Sequence, residues 1–165
     1  MNTPEYDDKY SACSETFSTL RVYHDAISPS EITTRLGIKP TKQTVKGEKR
    51  GRGSKVFEFN GWFLTSRETV DSRDSRRHID WIVDQLWNTK EVIQMMLLEG
   101  FKIDITSFWV SNSGNGGPTI SPYQMARLAD LGIEIWWDIY FSDDEPTCNE
   151  EAEQVETRNP YQPPC

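Results

Sequence analysis

The stretch Ser121-Pro122-Tyr123-Gln124-Met125-Ala126-Arg127-Leu128-Ala129-Asp130-Leu131-Gly132-Ile133-Glu134-Ile135-Trp136-Trp137-Asp138-Ile139-Tyr140-Phe141 decides how this chain folds. Ser121 followed three residues later by Gln124 is a capping box, Pro122 suits the first helical position, and Gly132 supplies the stop. Beyond the glycine, Ile133, Ile135, Trp137, Ile139 and Phe141 alternate with Glu134, Trp136, Asp138 and Tyr140. That period of two is the mark of a strand with one buried face. A helix that runs into a strand across a single glycine is the building unit of a layered α+β domain.

The same device occurs near the other end of the chain. Ser28-Pro29-Ser30-Glu31 opens a helix that closes at Leu36-Gly37-Ile38, after a strand over 16–24 in which Leu20 and Val22 alternate with Thr19, Arg21 and Tyr23. Residues 39–55 read as a short strand and a flexible hairpin loop, and 56–65 as a strand with a bulge at Gly61 beside Trp62. Ile79, Ile82, Val83 and Leu86 fall at helical spacing. Asn88-Thr89 then caps a continuation through Val92, Ile93, Met96 and Leu97 to Gly100, as one long kinked helix or two short ones. A strand over 103–110 and a Gly-rich loop over 111–120 complete the pattern. The expected fold class is α+β: a mostly antiparallel sheet with helices on one face, containing two ferredoxin-like strand-helix-strand units.

The chain has 165 residues, with 26 acidic and 18 basic side chains and a net charge of -8. That length fits one domain, and the acid surplus makes nucleic acid an unlikely partner because phosphate binding draws on Lys and Arg. No apolar run reaches a membrane span, and the start lacks a secretory signal, so a cytoplasmic location is expected. Cys13, Cys148 and Cys165 form no paired spacing for a disulfide framework or a zinc site, and no metal or cofactor is expected.

Charge is distributed unevenly. Residues 142–165 hold seven acids against Arg158 alone, and 39–77 hold 11 basic residues against five acids. A mean hydropathy of -0.67 is low because polar ends dilute a patterned middle. The expected organisation is a mobile N-terminal tail at 1–14, a single domain at 15–141, and an acidic, disordered C-terminal tail at 142–165.

At Phe108-Trp109-Val110-Ser111-Asn112-Ser113-Gly114-Asn115-Gly116-Gly117-Pro118-Thr119-Ile120-Ser121-Pro122 the chain resembles the bacterial family called domain of unknown function 4279. Leu131-Gly132-Ile133, Tyr140-Phe141-Ser142-Asp143-Asp144, the early Leu36-Gly37-Ile38-Lys39-Pro40-Thr41, Lys46-Gly47 and Trp62 agree with it, over about residues 15–144. The resemblance implies a cytoplasmic bacterial domain with no established activity, and hence no catalytic residues to carry over.

Three places can carry function. The Gly-rich loop, with Trp109, Ser111, Asn112, Ser113, Gly114, Gly116, Gly117 and the helix start at Ser121, can offer backbone N–H groups to an anion or nucleotide. It lacks the Gly-Lys-Ser/Thr of a phosphate loop, and a crossover loop needs glycines regardless of ligand. The basic segment, with Lys46, Arg50 and Arg52, can meet an acidic surface or serve as a solvated loop. The sheet face away from the helices, with Arg21, Tyr23, Trp136 and Tyr140, can anchor a protein partner, because Trp, Tyr and Arg dominate interfaces, and Trp62 is a further candidate partner-binding residue. That face can equally be covered by a tail, a loop or a second subunit of a homo-oligomer.

His78, four residues after Asp74 and two before Asp80, reads as ordinary helix pairing, and no nucleophile-base-orienter set stands out. The leading expectation is therefore a non-enzymatic protein-protein interaction module, one version being an immunity or antitoxin-like inhibitor of a basic toxin. The alternative is a small-ligand binding domain built on the Gly-rich loop.

Overall fold

In chain order the elements are β1 (Cys13–His24), α1 (Pro29–Leu36), β2 (Lys42–Thr44), β3 (Asn60–Thr65), α2 (Ser75–Leu86), α3 (Lys90–Leu98), β4 (Lys102–Ser111), α4 (Pro122–Leu131) and β5 (Glu134–Tyr140). They are seen in a computed structural model that describes residues 4–52 and 54–141. The tail expected at 142–165 lies outside the described residues. The strands form one sheet in the order β2-β3-β1-β4-β5. β1 pairs antiparallel with both β3 and β4, β2 pairs antiparallel with β3, and β5 runs parallel to β4. The fold is thus α+β, with a mostly antiparallel sheet.

The two strand-helix-strand units are not equivalent. α4 joins neighbouring parallel strands, whereas α1 joins β1 to a β2 that lies on the far side of β3. Both helices start and stop as their sequences direct. Ser28 Oγ accepts the Glu31 N–H at 3.2 Å, and Ser121 N–H donates to Gln124 Oε1 at 3.1 Å. Gly37 (φ 65°) and Gly132 (φ 72°) take the left-handed conformation that ends each helix. The Glu31 carboxylate does not turn back to its cap but pairs with Arg35 at 2.7 Å, one turn on.

The four described helices bury their apolar stripes against a single sheet face. Leu20 and Val22 of β1, Trp62 and Leu64 of β3, and Ile103 and Ile105 of β4 meet Ile32 and Leu36 of α1, Ile79, Ile82, Val83 and Leu86 of α2, Ile93 and Met96 of α3, and Leu128 and Leu131 of α4. Each fully buried large apolar side chain contributes about 1.5–3 kcal/mol. The helical stretch after residue 75 is two helices joined by a 3-10 turn at Trp87–Thr89. Among the described residues no helix is long and apolar enough to cross a membrane.

Two details differ from expectation. The strand expected from residue 56 begins at Asn60, because 47–57 closes on itself as a small hairpin: Arg50 N–H donates to the Lys55 carbonyl at 2.8 Å, and Phe57 N–H to the Glu48 carbonyl at 3.0 Å. Gly61 is not a bulge; it pairs regularly with Tyr23 and Thr44. A methyl group there would stand 2.6 Å from Thr44 Oγ1 and 2.7 Å from Phe63 Cζ, so the absent side chain is the space the Phe63 ring uses. Gly61→Val is expected to cost about 1–3 kcal/mol through this overpacking, read from the urea midpoint. An unchanged midpoint would mean that the Phe63 ring swings aside freely.

Residues 5–12, expected from composition to belong to a mobile tail, are held against α2 and the Gly-rich loop. Tyr6 Oη donates to Asp80 Oδ2 at 2.8 Å, Asp7 N–H to Asp74 Oδ2 at 2.8 Å, and Arg73 N–H to the Asp8 carbonyl at 3.0 Å. Arg77 Nε pairs with Asp8 Oδ1 at 2.6 Å. The Asp8 carboxylate in this polar segment is a partner for Arg77 and for the Ser72 hydroxyl.

Candidate functional site

Strand pairing fixes what the helix-free face presents. Arg21 stands opposite Phe63 on one side and Asp104 on the other, Phe17 opposite Phe108, and Tyr23 opposite Gly61 and Lys102. Parallel pairing adds Trp136 beside Thr106 and Asp138 beside Phe108. Phe17 and Phe108 stack at 4.7 Å, Phe108 meets Tyr140 at 5.2 Å, and Tyr23 meets Phe63 edge-on at 5.5 Å. Offset and edge-on contacts of this kind add about 0.5–1.5 kcal/mol beyond burial. The Arg67 guanidinium lies 4.7 Å over the Phe17 ring and pairs with Glu15 at 3.1 Å.

At the centre, Arg21 Nε donates to Asp104 Oδ1 at 2.6 Å. Burial alone would lower the Arg21 pKa, but the hydrogen bond and charge of Asp104 override it and raise the value further. A charge pair between aromatic clusters fixes strand register, since shifting either strand by one residue would bury an unpaired charge. At the β5 edge Glu134 is exposed, while Trp136, Asp138 and Tyr140 are half-buried and Phe141 is exposed.

Arg21, Tyr23, Trp136 and Tyr140 therefore share one face, as their alternation implied. Trp62 does not join them. Phe63 opposes Arg21, so Trp62 points to the helix side, fully buried, and donates Nε1–H to Thr33 Oγ1 at 3.0 Å. Lys46, Arg50 and Arg52 lie in the hairpin loop beyond β2; Lys46 pairs with Asp25, and the Arg50 guanidinium sits 5.9 Å from the Phe57 ring. Phe17, Phe63, Phe108 and Asp104 complete the face. The alternation of Ile103 and Ile105 with Asp104, Thr106 and Phe108 is the signal that points to two of them.

The Gly-rich loop is stitched to itself and to the N-terminal segment. Ser111 Oγ donates to the Asn115 carbonyl at 2.8 Å, Asn112 N–H to the Ala12 carbonyl at 2.9 Å, and Ser113 N–H to Ser111 Oγ at 3.3 Å. Tyr10 Oη reaches the Gly117 carbonyl at 3.4 Å, and a Cβ on Gly116 would meet Ala12 Cβ at 2.9 Å. Ser113 and Gly114 are exposed, whereas Trp109 is fully buried beneath the loop. At the start of α4, Ser121 Oγ bonds Gln124 Oε1, and Gln124 Nε2 bonds the buried carboxylate of Asp80. The negative charge that a helix start favours is supplied there by Asp80.

Asp80 centres a network that the spacing of the sequence does not reveal. It accepts from Tyr6 Oη, Gln124 Nε2 and Arg127 Nη1, the last at 3.0 Å. The Arg127 guanidinium lies 4.9 Å from the Trp87 ring and 5.2 Å from Tyr123, and also pairs with Asp84. Burial and the bond to Asp80 raise the Tyr6 pKa. A neighbouring cavity of about 320 Å³ is lined by Tyr6, Arg77, Asp80 and Trp81 among others. These carboxylates and guanidiniums are occupied with one another, and among the described residues no group of three or more His, Cys, Asp or Glu is placed to hold a metal ion.

His78 is buried, with Nε2 2.9 Å from the Ser72 carbonyl and Nδ1 2.8 Å from Ser66 Oγ. A carbonyl only accepts, so Nε2 carries the proton and Nδ1 accepts from the serine. The pair resembles a base and its nucleophile, but Ser66 is sealed from solvent, and its Oγ accepts the Ser18 N–H at 3.0 Å. Burial lowers the His78 pKa. The unfolded chain then takes up this proton before the folded one does. Stability is expected to be level above about pH 6.5 and to fall as the pH drops below it. A urea midpoint that stays constant down to pH 5 would contradict this.

No curated protein and no solved structure matches the chain. The model of one family matches residues 14–142, which run from the second residue of β1 to just past β5. The matched region holds all of the sheet but Cys13, the described helices and the aromatic face, and the chain belongs to the family described as Domain of unknown function (DUF4279).

Proposed function

We propose that this domain is a non-enzymatic protein-protein interaction module whose recognition surface is the helix-free sheet face, working in the bacterial cytoplasm. The observation that supports this reading is the gathering of Arg21, Tyr23, Phe63, Phe108, Trp136 and Tyr140 on one face over which no described helix packs. Aromatic and arginine side chains are the usual anchors of protein interfaces. The acidic β5 edge, with Glu134 and Asp138, and the acids of 142–165 favour a basic partner and a fast, salt-sensitive encounter. An immunity or antitoxin-like inhibitor that blocks a basic toxin is the specific form of this proposal.

A photo-crosslinking residue at Trp136 in the full chain tests the reading, with Met125, exposed on α4, as the control position. Adducts with one protein from position 136 and none from 125, weakening with salt, are the expected result. If neither position captures a partner while a nucleotide panel raises the melting temperature, the interaction reading fails. The anion-binding alternative has weaker support, because Asp80 already places a carboxylate at the start of α4.

A further inference from the structure

We infer that β5 is the interface of a two-fold dimer, in which the outer edges of two copies pair antiparallel about Trp137 and join their sheets into one. The two edges of the sheet are built differently. β2 is three residues long, carries the exposed Lys42, and leads to the exposed Lys46 of the hairpin loop, which is how an edge strand discourages pairing. β5 is seven residues long, stays in unbroken register with β4, and holds neither lysine, proline nor bulge. Among the described residues it has a strand on one side only. Its helix-side residues are incompletely covered: Ile105, Ser107 and Trp109 of β4 are fully buried, whereas Ile135 and Trp137 beside them are half-buried and Ile139 is 43% exposed.

The sequence of β5 complements itself. Antiparallel pairing centred on Trp137 sets Ile135 opposite the partner's Ile139, Trp136 opposite the partner's Asp138, Glu134 opposite the partner's Tyr140, and Trp137 opposite the partner's Trp137. Apolar and aromatic pairs directly opposed across antiparallel strands are stabilising, and like charges so opposed are destabilising. Centring the pair on Trp136 brings Glu134 against the partner's Asp138, and centring it on Asp138 brings that carboxylate against its own copy. The two acids therefore reject the neighbouring registers and leave the one in which isoleucine meets isoleucine. Such a contact closes on itself, so assembly stops at two copies. The helix-free faces of the two copies then lie side by side and stay open.

The dimer neither needs nor excludes a foreign protein on those faces; a self-adduct from position 136 belongs to this edge, and an adduct with a different protein to the face. Sedimentation of the full chain across the micromolar range is expected to show monomer passing to dimer and no further. Ile139→Lys should raise the dimer dissociation constant at least about tenfold, because both Ile–Ile pairs are lost and two ammonium groups enter the interface, with the circular dichroism unchanged. The register is read from full chains carrying Cys148→Ser and Cys165→Ser with either Ile135→Cys or Ile139→Cys, both first shown to sediment as dimers. Directly opposed residues lie within disulfide reach, so mild oxidation should link the two variants when mixed and neither variant alone. Cys13 takes no part because it is buried and its thiol is pushed up to about 11 by desolvation. A monomer at every concentration, or a dimer indifferent to Ile139→Lys, overturns the proposal. So do assemblies that keep growing with concentration, which would place β5 on the basic β2 edge of the next copy, and so does failure to link on mixing or linkage within one variant.

Discussion

Trp62→Ala is expected to lower the stability of the folded domain by about 3–5 kcal/mol, the range for emptying a buried large aromatic site. The indole fills the space between β3 and α1, is wholly buried, and donates its N–H to Thr33 Oγ1. Its removal leaves a cavity and a lost hydrogen bond together. At marginal stabilities of about 5–15 kcal/mol, a loss of that size puts much of the chain near its unfolding threshold at 37 °C. Trp62→Phe keeps most of the volume and should recover the larger share. Urea unfolding followed by far-UV circular dichroism gives both values. A loss below about 1 kcal/mol for the alanine variant would mean that α1 collapses into the gap.

Asp80→Ala is the second large effect, about 3–5 kcal/mol, because it removes the counter-charge from a largely buried guanidinium. Arg127 keeps only Asp84, which is mostly exposed, and the Tyr6 hydroxyl and Gln124 amide lose their acceptor together. Asp80→Asn retains one acceptor oxygen and should fall between wild type and alanine. The double variant Asp80→Leu with Arg127→Met removes both charges and should recover part of the loss. If it does not, the network contributes through geometry and not through charge.

The architecture was legible because its signals are local. Ser121 with Gln124, Pro122 at the helix start and the alternation through β5 each encode a short piece of backbone, and the structure contains those pieces. The echo at Ser28 gave the first helix in the same way, although Glu31 turned to Arg35. The placement of Trp62 was not legible. A tryptophan after a glycine in a half-read strand belongs to one face or the other according to a register that only the partner strand sets. The Asp80 network was hidden for a different reason, since Tyr6, Asp80, Gln124 and Arg127 come from three separated stretches that carry no shared motif. The hold on residues 5–12 was masked by composition, because a charged segment that pairs with arginines reads like one that is merely solvated.

The central place of β1 has a consequence for how the chain is made. β1 leaves the ribosome before the other described strands and is paired on both sides, and its second neighbour is far away: Ser18 faces Ser107, 89 residues later. At about 5–20 residues per second, synthesis leaves that edge of β1 without β4 for roughly 4–18 s. Through this interval the nascent chain carries an unpaired strand edge with Leu20 and Val22 on its flank, the kind of edge that recruits other chains. Pulse-chase aggregation with ribosomes stalled before and after residue 111 should show a sharp fall once β4 is complete.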